Sequence, residues 1–169
     1  MDPLTQSTFG GIFAQTVLSK DKLIYSSIIG ILAGLSPDLD ILIRSSSDPL
    51  LKLEYHRQFS HSLIFIPIGA FGVSLLTHLI FRHKLSFFQN YISSFFGYAT
   101  HGLLDACTSY GTQLFWPFSN HRYSWNNISI IDPILTIPIL ILFVFSILYK
   151  NKLFSFLAII WIFLYLGFG

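Results

Sequence analysis

Seven stretches of this chain, 3–19, 23–37, 58–81, 85–104, 106–121, 133–149 and 153–169, hold no Asp, Glu, Lys or Arg. A helix crossing about 30 Å of hydrocarbon needs about 20 such residues, within a usual range of about 17–25. On that basis 62–81, 85–104, 133–149 and 153–169 read as four transmembrane helices. Segments 3–19 and 23–36 read as an N-terminal pair of short helices, turned at Lys20-Asp21-Lys22. Gly30 and Gly34 have the small-xxx-small spacing that lets helix backbones approach. Segment 106–121, dense in Gly, Ser, Thr, Pro and Asn around Trp116-Pro117-Phe118, reads as an interfacial loop. The expected fold is therefore all-α, a polytopic helical membrane protein forming one integral domain over 1–169, with no internal repeat.

Composition points to the same solvent. Hydrophobic residues make up 53% and charged residues 11%, against roughly 25% charged in soluble proteins. A net charge of +2 with scattered Lys and Arg excludes a nucleic-acid footprint, so the lipid bilayer is the expected partner. Met1-Asp2-Pro3 lacks the basic region of a cleavable signal, so the first segment is expected to stay. The one cysteine, Cys107, excludes an internal disulfide and leaves the redox compartment open.

If every segment crosses, the hinges Lys20/Lys22, Arg82/Lys84 and Lys150/Lys152 share one side, and 36–61 and 105–132 share the other. Counting Lys and Arg sets six hinge residues against Arg44, Lys52, Arg57 and Arg122. The positive-inside rule then puts the hinges in the cytoplasm and the opposite face outside it.

That opposite face collects the acids Asp2, Asp38, Asp40, Asp48, Glu54, Asp105 and Asp132, and with them His56, His61, His101 and His121. Burying a carboxylate in a bilayer costs about 2.5–3.5 kcal/mol, so such groups belong at an edge or in a polar cavity. In His101-Gly-Leu-Leu-Asp105 a spacing of four puts imidazole and carboxylate on one helix face, and Thr108 extends that stripe. Imidazole and carboxylate are a ligand set for zinc or another divalent ion, but the same pair can staple two helices by a hydrogen bond. His56-Arg57-Gln58-Phe59-Ser60-His61 offers two imidazoles, and Arg57 a planar fork for phosphate, although Ser60 can equally cap a helix. Pro37-Asp38-Leu39-Asp40 offers alternate carboxylates that would project the same way from extended backbone, or else an acidic helix end in solvent.

Asp2-Pro3, Asp48-Pro49 and Asp132-Pro133 each place an N-cap before a helix-starting proline. Capping accounts for Asp48, while Asp2 and Asp132 sit on the crowded face and can serve as ligands or in support of them. Arg122, among His121, Trp116, Tyr123 and Trp125, suits either an anionic headgroup or an aromatic belt. Cys107 suits a soft ligand or packing.

Taken together, Asp2-Pro-Leu-Thr, Pro37-Asp-Leu-Asp40, His56-Arg-Gln-Phe-Ser-His61-Ser and His101-Gly-Leu-Leu-Asp105, running into Thr108-Ser-Tyr-Gly-Thr-Gln-Leu-Phe-Trp-Pro-Phe, resemble the YdjM-like family of membrane-bound metal-dependent hydrolases. The resemblance spans nearly the whole chain. Members often continue the opening motif with His, where this chain has Gln6, so the first motif reads as structural here. What the resemblance implies is a multi-helix bacterial inner-membrane protein that binds divalent metal.

The expected function is a metal-dependent hydrolase acting on a phosphate ester of a lipid or membrane-proximal substrate. Asp38, Asp40, His56, His61, His101 and Asp105 would hold one or two ions, zinc favoured. Arg57 would steady the anion and Asp132 act as general base. The rivals are a non-catalytic protein whose metal locks the helices, and a transporter.

Overall fold

Among the described residues there are six α-helices: α1 (Pro3–Val17), α2 (Leu23–Leu35), α3 (Ile66–Phe81), α4 (Phe87–Ala106), α5 (Pro133–Tyr149) and α6 (Leu153–Phe168). The computed structural model describes residues 1–43 and 55–168, so Arg44, Asp48 with its expected cap, Lys52 and Glu54 lie outside them. Among the described residues the sole β-contact is an isolated bridge between Thr112 and Tyr123. Aspartate followed by proline starts α1 and α5. Asp2 accepts a hydrogen bond from Thr5 N at 2.9 Å, Asp132 one from Leu135 N at 3.2 Å, and each proline occupies a position whose N–H has no helical partner. Ser86 and Gln89 close a reciprocal capping box at the start of α4.

α1 and α2 pack closely because glycine removes the side chains between them. A Cβ on Gly10 would overlap the carbonyl oxygen of Gly30, and one on Gly34 would sit 2.8 Å from Gln6 O. Gly97 of α4 meets Gly30 from the other side, where a Cβ would lie 2.8 Å from its Cα. α4 is thereby drawn against both N-terminal helices, and α5 and α6 close the bundle over Phe9, Ile12, Leu104, Leu135, Ile139 and Ile162.

The bundle is polar within and apolar outside. Gln6, Gln15, Ser27, Asn90, Ser93, Ser94, His101 and Asp105 are buried, whereas Phe71, Leu75, Leu79, Ile137, Ile141, Ile160 and Phe163 face outward. An exterior of this kind suits lipid, in which interior hydrogen bonds hold helices together. Gln15 shows the principle: its amide donates to Ser27 Oγ at 2.9 Å and accepts from Ser155 Oγ at 2.6 Å, and Ser155 meets Ser146 at 2.8 Å.

The expectation of four transmembrane helices is corrected to two clear candidates, Lys20–Leu42 and Leu63–Phe81. The second matches the expected 62–81. The first was expected as a short helix, but 3₁₀ turns at Lys20–Lys22 and Ser36–Leu42 extend α2 to 23 residues. Helices α5 and α6 have 17 and 16 residues, about 25 and 24 Å at 1.5 Å per residue, short of about 30 Å of hydrocarbon. α4 is long enough at 20 residues, but its buried stripe from Asn90 to Asp105 is too polar.

Replacing Gly10 with Leu is expected to wedge α1 from α2 and lower stability by about 1–3 kcal/mol. Thermal unfolding in detergent reads this, and an unchanged midpoint would contradict the close packing.

Candidate metal centre

Three pieces of chain meet at the C-terminal end of α4. His101 and Asp105 come from α4, Asp38 and Asp40 from the 3₁₀ turn after α2, and His56, Arg57 and His61 from the segment leading into α3. Gly102 permits the meeting, since a Cβ there would overlap the carbonyl oxygen of His61. The loop after α4 holds the third piece in place: Gln113 N donates to Arg57 O at 3.1 Å and Leu63 N to Leu114 O at 2.9 Å.

His61 Nε2 and His101 Nε2 lie 3.0 Å apart. Asp38 Oδ1 is 3.5 Å from His61 Nε2 and 3.3 Å from His101 Nε2, and Asp105 Oδ2 is 3.4 and 3.5 Å from the same two atoms. Four side-chain atoms thus converge within 4.8 Å of one another, three of the residues fully buried.

The far side of each imidazole decides what the near side can be. His101 Nδ1 faces Gly34 O at 2.5 Å, an acceptor that requires an N–H. Ser60 donates its hydroxyl to Asp40 Oδ2 at 2.9 Å and so is left to accept from His61 Nδ1, also 2.9 Å away. In their neutral forms both rings would turn a lone pair on Nε2 toward two carboxylate oxygens, and four acceptors facing one point call for a cation, a proton or a metal ion. Bonds of about 2.0–2.1 Å in a tetrahedral site imply ligand-to-ligand edges of about 3.3–3.4 Å. The five separations above, 3.0–3.5 Å, fit such an ion.

Arg57 is fixed beside the cluster. Its Nε is 3.0 Å from Asp105 Oδ2, yet off the line of a hydrogen bond, so both buried atoms lack one despite the ion pair. Its Nη1 donates to Thr108 Oγ1 at 3.2 Å, and its guanidinium lies 4.8 Å from the centre of the Tyr110 ring. Its backbone has φ +61°, held by donation of its N–H to Asp40 Oδ2 at 3.0 Å. The other oxygen of Asp105 receives the Met1 amine and, at 3.0 Å, the Gln6 amide. Sequence reasoning set position 6 apart from the site, and nothing in the pattern pointed to Gly102.

The remaining expected residues fall into two groups. Asp40 Oδ1 meets His56 Nδ1 at 2.8 Å, and Asp38, Asp40 and His56 form a second convergent set that shares Asp38. Asp38 and Asp40 lie on a 3₁₀ turn, not on the expected extended backbone, because Pro37 cannot continue the α-helical hydrogen bonding. Their carboxylates flank His61, Asp38 reaching on to His101 and Asp40 to His56 and Ser60. Asp132 bonds instead to Leu135 N and, at 3.0 Å, to the Tyr165 hydroxyl. Cys107 packs in the core, and His121 lies against Tyr123. Side chains 28% exposed at Asp38 and 24% at His56 mark the cluster's opening, which Tyr110 and Arg122 flank.

Apolar surface around buried ionisable groups defines the class, a helical membrane protein whose interior can hold a cation. The family of the YdjM inner membrane protein matches residues 1–169, and the chain belongs to it. Neither a curated protein nor a solved structure matches the chain.

Burial disfavours a charged His61, but the carboxylates of Asp105, Asp38 and Asp40 outweigh it and push its pKa up to about 10. An entering metal displaces that proton, so affinity is expected to fall about tenfold per unit as pH drops below that value. Calorimetric titration at several pH values measures the slope, and a flat profile would refute it. Gly102→Ala is expected to move His61 and weaken binding by about 10–100-fold, as changes behind metal ligands do.

Proposed function

We propose that the protein is a metal-dependent hydrolase of phosphate esters carried by a lipid or membrane-proximal substrate. The observation that carries this reading is the set of four acceptors around one point, opening through Asp38 and His56. Asp38, His61, His101 and Asp105 are the ligands, and zinc is favoured by two imidazoles and two carboxylates at tetrahedral separations. Bound there, a divalent ion would bring the pKa of a coordinated water toward 7 and stabilise charge on a phosphoryl oxygen.

The chain's own groups divide the remaining work. Asp40 accepts from the Arg57 N–H and the Ser60 hydroxyl, and it orients His56 through Nδ1. His56, partly exposed at the open edge and held through Nδ1, would take a proton from the attacking water and return it to the leaving group. Arg57, engaged with Asp105 and Thr108, is a positioning residue whose charge lies beside the Asp105 carboxylate. Recognition of the substrate's anionic group falls to the opening, where Arg122 lies over Tyr110 and donates to His56 O at 3.1 Å. Asp132 serves as helix cap and as a tie to α6 through Tyr165.

A second reading rests on the Asp38, Asp40 and His56 set. Two ions bridged by Asp38 would make His56 a ligand instead of a base.

Elemental mass spectrometry of detergent-purified protein tests both readings. One divalent ion per chain is expected, and two would favour the bridged pair. His101→Ala with Asp105→Asn should abolish binding, and metal retained in that variant would refute the site. His56→Ala should keep the metal while lowering kcat on phospholipid or isoprenoid-phosphate substrates by about 10²–10⁴-fold. Metal without turnover of any phosphate ester, together with a lower Tm on chelation, would leave a structural role in place of catalysis.

A further inference from the structure

The hinge end of the bundle carries a second concavity, independent of the metal cluster. The turns at Lys20–Lys22 and Lys150–Lys152 approach each other around a cavity of about 370 Å³. Lys20, Asp21 and Lys150 line it together with the apolar or aromatic Ile24, Tyr25 and Ile147, which would serve as its floor beneath a bound headgroup. The four lysines of these hinges are not equivalent. Lys22 donates to Gln89 Oε1 at 3.0 Å and Lys152 to Thr16 O at 3.0 Å, whereas Lys20 and Lys150 face the cavity.

Its position matters as much as its charge. Lys20 begins the candidate span Lys20–Leu42 and Lys150 caps the end of α5, so the cavity sits where a headgroup would meet apolar helix. Ile24 and Ile28, both exposed and one turn apart, continue the floor as an apolar track down α2. Two cations above an apolar track match a phosphate above an acyl chain. Asp21, which accepts from Ser19 Oγ at 3.2 Å, leaves the rim able to receive a headgroup hydroxyl but repels a second carboxylate.

We propose that this cavity binds one anionic glycerophospholipid with a hydroxyl-bearing headgroup, of the phosphatidylglycerol kind, its phosphate between Lys20 and Lys150. Basic recesses between membrane helices hold headgroups in this manner, each lysine adding to the attraction.

Native mass spectrometry of the full chain from mixed micelles of phosphatidylglycerol and phosphatidylcholine tests this. One retained phosphatidylglycerol per chain is expected. Lys20→Gln with Lys150→Asn should weaken retention about 30-fold; asparagine is chosen because residue 150 has φ +48°. The charge-matched control Arg82→Gln with Lys84→Gln should retain the lipid as the native chain does. Equal loss in both variants, loss in neither, or equal retention of phosphatidylcholine would overturn the proposal. Displacement by millimolar glycerol phosphate would overturn it in favour of a soluble anion. Should the double variant fail to fold, Lys20→Gln alone is expected to lose about fivefold, and no loss would count against the site.

Discussion

Two imidazole nitrogens 3.0 Å apart, with two carboxylate oxygens beside them, cannot sit inside a helix bundle without positive charge between them. Much of the local backbone serves that convergence. Gly34 offers its carbonyl to His101, and Gly102 gives up its side chain so that the His61 backbone can touch α4. The loop after α4 pins Arg57 and Leu63. The carboxylates of Asp105, Asp38 and Asp40 push the pKa of His61 up to about 10 despite its burial, so a proton there can supply that charge. A metal ion bound there would take that proton's place.

The same convergence accounts for α4. A helix presenting Asn90, Ser93, Ser94, His101 and Asp105 along one stripe belongs at the centre of the bundle, where neighbours cover it. α1, itself almost wholly buried, packs beside it, and α2, α3, α5 and α6 carry apolar residues on their outer faces. Absence of charge in 85–104 made this segment look like a lipid-exposed span, because counting ionised residues ignores the amide and hydroxyl groups that dominate its inner face. Hydropathy reports the mean of a helix, whereas its place in the bundle follows from how polarity is distributed around it.

Some of the site was readable from spacing alone. His101 and Asp105 lie four apart on a helix, and nothing beyond helical periodicity is needed to align them. The Asp-Pro starts of α1 and α5 were equally local, a cap and a pre-set φ. What could not be read depended on contacts distant in sequence. The placing of Asp38 and Asp40 on either side of His61 follows from the 3₁₀ turn that Pro37 begins. The different surroundings of His61 and His56, five residues apart, follow from contacts across the fold: both meet Asp40, but only His61 also reaches Asp38 and Asp105. Gly102 carries no chemical signal, and its importance lies entirely in what would collide with a methyl group.

Gln6 draws the two kinds of information together. The residue departs from the histidine often found at this point of the motif, which argued for a structural opening segment, yet its amide lies 3.0 Å from Asp105 Oδ1. It does not reach the convergent atoms. It occupies the oxygen that Asp105 turns away from them, alongside the Met1 amine, and so leaves Oδ2 to the cluster. An amide N–H and an imidazole N–H are both donors able to fill that post, so glutamine preserves the orientation of Asp105 without adding a ligand. The opening motif is structural in the sense that it sets which carboxylate oxygen faces the convergent cluster.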